Sequence, residues 1–182
     1  MRYLKYKQYD LFLTNALLES IPDKAKRAVP RALKRAALSG RKLARQGILD
    51  TYTIKRKDID AFTKIYAYSS QAGFSMRSTR FSKERFKVRP TDRNTTGRNH
   101  KLVKVQIRKD RPMEPFYVAF KYKGHIFQRY GDERLPLYFH RAPSLKGMVS
   151  AAVGEDEVLE EMQETFKKRI GHEIDWALNG RK

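Results

Sequence analysis

Between residues 102 and 130 the chain alternates apolar and polar side chains three times over. Val103, Val105 and Ile107 interleave with Lys104, Gln106 and Arg108, the period-two pattern of a half-buried strand. Lys109-Asp110-Arg111-Pro112 follows as a turn, since Asp bonds its own backbone and Pro has no donor for a ladder. In a second strand, Phe116, Val118, Phe120 and Tyr122 fall on one face, with Tyr117, Ala119, Lys121 and Lys123 on the other. Gly124-His125 punctuates, and residues 126–130 form a third strand. Gly131-Asp132-Glu133-Arg134-Leu135-Pro136-Leu137 and Ala142-Pro143-Ser144 close the region. Three antiparallel strands with one apolar face are not stable alone, so another element must cover that face.

The cover is predicted upstream. Over residues 22–48, Ala25, Val29, Leu33, Ala36, Gly40, Leu43 and Ile48 recur at near-helical spacing, opposite Lys24, Arg27, Arg31, Lys34, Arg35, Lys42 and Arg45. Pro30 lacks a donor and is expected to kink or split this helix. Before it, residues 2–8 alternate as an edge strand, and Asp10 is expected to cap a brief helix through Leu11, Leu13, Leu17 and Leu18. After it, residues 57–62 suggest one further helical turn. Residues 63–69 and 74–79 suggest a hairpin across Gln71-Ala72-Gly73. A short helical turn (Leu145, Met148, Val149, Ala152), capped by Ser144, leads to Gly154. The final helix begins with Glu155, Asp156 and Glu157 and later carries Lys167, Lys168 and Arg169, the order the helix dipole favours.

The pattern predicts an α+β fold: a mostly antiparallel sheet of about 4–6 strands packed against a long N-terminal helix, with a C-terminal helix. It is expected to be a single domain over 1–182. An N-terminal strand and helices occupy 1–50, the sheet occupies 51–144 with a basic loop near 80–100, and a helical segment occupies 145–182.

Charge changes the picture. The net charge is +20, and residues 51–110 hold the largest share. Such a field implies a polyanionic partner, nucleic acid or an acidic protein surface. The basic loop supplies Arg77, Arg80, Lys83, Arg85, Lys87, Arg89, Arg93 and Arg98, placed to lie along phosphates or a partner without reading sequence. Tyr117, Tyr122, Phe127 and Tyr130 interleave with Lys121, Lys123 and Arg129, as a stacking surface for single strands would. Phe116, Val118 and Phe120 match core spacing, however, so the stripe is assigned to the core against the first helix and the loop becomes the expected contact surface.

Catalytic chemistry is not legible. His100, His125, His140 and His172 lack metal-ligand spacing, and Asp58 and Asp60 point apart on a helix. There is no phosphate-cradling glycine loop, no nucleophile elbow and no His-Glu-x-x-His. With no cysteine, a disulfide scaffold and a thiolate zinc site are excluded. No apolar run approaches a membrane span, and the first residues lack a signal-peptide core. The chain is expected to be neither an enzyme nor a cofactor carrier, and to work in a reducing cytoplasm or an assembly made there.

A series of short motifs, in order, resembles the minor tail protein Z family of tailed bacteriophages and prophages. They are Val29-Pro30-Arg31-Ala32-Leu33-Lys34-Arg35-Ala36, Tyr52-Thr53-Ile54-Lys55, Val103-Lys104-Val105, Ala119-Phe120, Gly124-His125, Arg129-Tyr130-Gly131, Arg134-Leu135-Pro136-Leu137 and Pro143-Ser144. The resemblance implies a virion component assembled in the host cytoplasm, a minor tail or tail-completion protein at the head-proximal end of the tail. It implies a ring homo-oligomer that contacts tail-tube, tail-terminator or connector proteins, and no catalytic residue. It offers the positive charge two neighbours: phage DNA in the tail lumen, bound without specificity, and acidic surfaces of adjoining rings. The alternative reading is a nucleic-acid-binding protein outside any virion.

Overall fold

The structure is a computed structural model that describes residues 4–5, 10–13, 19, 23–91, 102–131 and 133–179. The fold is α+β, with every strand pairing antiparallel. Among the described residues the strands form three small sheets instead of the one sheet expected. The chain divides into two compact units: Met1–Gly47, Phe62–Met76 and Val149–Lys182 form the first, Ile48–Ala61 and Arg77–Met148 the second.

In the first unit, β1 (Leu4–Lys5), β2 (Asp10–Leu13), β3 (Thr63–Ala67) and β4 (Gln71–Met76) form a sheet of order β1-β2-β4-β3. Asp10 therefore begins a strand and not a helix, and Leu11 is fully buried opposite Ala72. The expected continuation through Leu17 and Leu18 lies outside the described residues, as does Pro22. The β3–β4 hairpin forms as expected. Its register Ile65↔Phe74 and Tyr66↔Gly73 draws residues 71–73 into the strand and shifts the turn to residues 68–70.

A 3-10 segment, Asp23–Ala28, passes directly into α1 (Val29–Thr51), so the predicted helix is split where Pro30 falls. Pro30 sits in the first turn of α1, where its missing donor has no helical acceptor to lose. Ala32, Leu33, Ala36, Ala37, Gly40 and Ala44 form the buried stripe. Its small side chains admit close neighbours: a Cβ at Gly40 would overlap Met162 and press on Phe74. Met162 lies on α4 (Glu155–Asn179), whose buried face is Val158, Leu159, Met162 and Phe166. The sheet containing Phe74 thus lies beside α1. Among the described residues no helix is long and apolar enough to cross a membrane.

The second unit holds that region as two three-stranded sheets. One has the order β5 (Lys87–Arg89), β6 (Leu102–Gln106), β7 (Glu114–Tyr117). The other has the order β10 (Tyr138–Phe139), β9 (His125–Gln128), β8 (Ala119–Tyr122). The second strand read from the sequence is cut at Val118, whose φ of 52° breaks the extended backbone. Alternation restarts on the far side. Phe116 and Ala119 are both buried, Lys121 turns inward, and Phe120 and Tyr122 turn outward. The β8–β9 turn has Lys123 and Gly124 at φ 46° and 80°, the two positive angles a tight hairpin of this hand requires.

A short helix α2 (Arg56–Asp60) buries Ile59, and the segment before it is tied to the chain just past residue 106: Thr53 N–H donates to Ile107 O at 3.0 Å. The 3-10 turn Lys83–Arg85 is capped by Ser82. The helix α3 (Leu145–Ala152) is capped by Ser144, whose Oγ accepts from Gly147 N–H at 3.4 Å, and it is followed by Gly154 at φ 97°.

Candidate nucleic-acid interface

The cations predicted to share one loop do not share one role. Residues 82–89 are ordered as a capped 3-10 turn and strand β5. Lys83 is 8% exposed; its Nζ lies 3.1 Å from Glu114 Oε2 and 4.1 Å from the Phe116 ring centre. Its ammonium is thereby withdrawn from any partner, correcting its place among the contact residues. Arg85 is committed as well, with Nη1 2.6 Å from Asp58 Oδ1 and its guanidinium over Phe81. Arg77 and Arg80 are exposed in the link that follows β4. Arg93 and Arg98 lie outside the described residues.

Lys87 and Arg89 remain, and the sheet gives them neighbours that the sequence did not reveal. Val88 faces inward opposite Val105, so Lys87 and Arg89 face outward. The register sets Arg89 directly across from Lys104 on β6, and Lys87 across from Gln106. Tyr117, 65% exposed, stands opposite Leu102 on the same outer face. Like charges directly opposed across two strands repel, and no carboxylate among the described residues forms an ion pair with Lys87, Arg89 or Lys104. The face therefore concentrates positive potential on the outer side of this sheet. A row of phosphates or carboxylates would neutralise it.

The same unit holds a set of part-buried polar contacts. Lys121 Nζ lies 3.4 Å from Glu84 Oε1 and donates to the carbonyls of Pro90 (3.3 Å) and Thr91 (3.4 Å), fixing the end of β5. His140 Nε2 is 2.7 Å from Gln128 Oε1, and its ring packs 4.6 Å from Phe116. Burial, then the nearby Lys83 charge, hold the His140 pKa below the ordinary imidazole value, with Glu114 opposing.

The chain has no match among protein-family models, curated proteins or solved structures.

A second basic surface lies in the first unit, where Arg35, Lys42, Lys168 and Arg169 border a shallow groove between α1 and α4. Arg31 at its end is already engaged, 3.7 Å from Glu173 and over the Trp176 ring. Among the described residues no group of three or more His, Asp or Glu side chains is placed to hold a metal ion. Lys104 was missed as a contact candidate, and Tyr117, named in an aromatic stripe that was then assigned to the core, is exposed. Their signal was the outward phase of the strand alternation, but only the β5–β6 and β6–β7 registers bring them beside Arg89 and Lys87.

Proposed function

We propose that the chain is a structural protein of a tailed-phage virion, a minor tail or tail-completion component at the head-proximal end of the tail. It acts as an oligomeric ring through protein–protein contacts and touches DNA through its basic surface. The observation that carries this reading is the ordered run of short motifs from Val29-Pro30 to Pro143-Ser144. Two of them occupy positions with a local structural reason: Gly124 at a positive φ in a hairpin turn, and Ser144 as a helix cap. The test is mass spectrometry of purified virions together with the solution mass of the isolated protein. The reading expects the chain in tails and a ring-sized species in solution; a monomer that never enters virions would end it.

A second reading, nucleic-acid binding outside a virion, is favoured by the opposed pair Arg89 and Lys104. Removing one cation that neutralises a phosphate should flatten the dependence of log affinity on log salt by about 0.9 for duplex DNA. The triple variant Lys87→Gln/Arg89→Gln/Lys104→Gln should therefore lower the slope by about 2.7. An unchanged slope would remove this face from DNA binding.

A further inference from the structure

The break at Val118 does more than divide a strand. By restarting the alternation, it sends Phe120 to the outer face of the β8–β9–β10 sheet and Lys121 to the inner one. The register then aligns Phe120, Phe127 and Phe139 in one row across all three strands. Ring centres are 5.7 Å apart for Phe120–Phe127 and 5.8 Å for Phe127–Phe139. Tyr122 and His125 form the adjoining row, His125 edge-on to Phe139 at 4.9 Å. The three phenylalanine rings are half-buried, and Tyr122 is 44% exposed. Cations frame the rings: Arg129 lies 5.0 Å from the Phe120 ring centre, Arg141 5.2 Å from Phe139, and Lys123 5.3 Å from Tyr122. Arg129 Nε is buried and has no hydrogen-bond partner among the described residues. None of the side chains in these two rows or in this frame is acidic.

We propose that this face binds single-stranded nucleic acid, with unpaired bases stacking on the rings and Lys123, Arg129 and Arg141 taking the phosphates. The proposal goes beyond the proposed function, whose DNA contact is at the basic surface, and gives unpaired bases a face of their own. Rings on a sheet face meet bases only when those bases are out of a duplex, whose own stack hides their flat surfaces. An acidic peptide would engage the cations but leave the aromatic rows unused. The Lys87/Arg89/Lys104 face, by contrast, has the charge for phosphates but only Tyr117 as a ring, so it serves duplex and single strand alike.

The test is fluorescence anisotropy with a short oligothymidylate and a duplex of equal length. The wild type should bind the single strand more tightly. Tyr122→Leu, at an exposed position, and Phe139→Leu, which retains apolar volume, should each weaken single-strand binding by about 5- to 100-fold, with duplex binding unchanged. Equal affinity for strand and duplex, or leucine variants that bind the strand like wild type, would overturn the proposal. Displacement of the strand by polyglutamate at equal charge would also overturn it, in favour of an acidic protein partner. Incorporation of the same variants into virions is scored separately. Normal incorporation with abolished strand binding leaves the tail reading intact and supports this one, while strand binding by a protein absent from virions supports this inference alone.

Discussion

Lys121 Nζ lies 3.4 Å from Glu84 Oε1, with the Lys121 side chain 3% exposed and that of Glu84 18% exposed. The ammonium also reaches two carbonyls at the end of β5, so one lysine on β8 joins the 3-10 turn and a strand of the other sheet. Removing one member of such a pair leaves the other charge buried, which is costlier than losing the pair's net attraction.

Lys121→Met should therefore destabilise the second unit by about 3 kcal/mol. The double variant Lys121→Met/Glu84→Gln should recover much of that loss, since no bare charge remains. Urea unfolding of the four proteins of this cycle measures both. If the double variant is no better than Lys121→Met, packing of the lysine stem is the cause.

Val118 holds a β-branched side chain at φ 52° while 50% exposed, so it gains little from burial to offset that backbone. Val118→Gly should raise stability by about 1 kcal/mol, the relief exceeding glycine's extra entropy in the unfolded chain. A lower melting temperature for the glycine variant would contradict this.

Gly40 is where α1 and α4 approach most demandingly. Gly40→Val should cost about 2–3 kcal/mol through overlap with Met162 and Phe74. Met162→Ala alone should also destabilise, by leaving a cavity. Combined with Gly40→Val it should cost less than the sum, because the valine enters the space the methionine vacates. Additive losses would place the strain elsewhere.

His140 gives the second unit a pH dependence of definite sign. Its folded pKa is depressed, chiefly by burial and then by Lys83. The unfolded chain therefore binds the proton first as pH falls below the ordinary imidazole value of about 6.5. The stability from neutral His140 is complete above that value and declines as pH drops through the window down to the folded pKa. Denaturation midpoints measured across mildly acidic pH should show this decline in the wild type and less of it in His140→Gln. Parallel curves would assign the acid sensitivity to another group.

Much of the fold is legible along the chain because regular elements announce their period. The Ala32–Ala44 stripe, the Val103/Val105 alternation and the 109–112 turn all appear where local sequence puts them, since helix and strand repeats follow from backbone geometry alone. The turn expected at Gly124-His125 falls one residue earlier, at Lys123-Gly124, whose two positive angles close the hairpin. The candidate surfaces were only half legible: the outward phase of Lys87, Arg89 and Lys104 is local, but their adjacency depends on cross-strand register.

What the tertiary structure decided is where a period restarts and which way a long cation turns. Period two fixes that neighbours face opposite sides, yet one left-handed residue at Val118 exchanges the sides for everything after it, and no composition signal marks that position. Lysine has an apolar stem and a charged head, so it suits either face. Lys83 and Lys121 turn inward because folding brings Glu114 and Glu84 within ion-pair distance, whereas Lys87 and Lys104 meet no carboxylate among the described residues and stay in solvent. Sequence alone determined the α+β class and the positive charge. Contacts between distant parts of the chain determined which of those charges are left to bind something else.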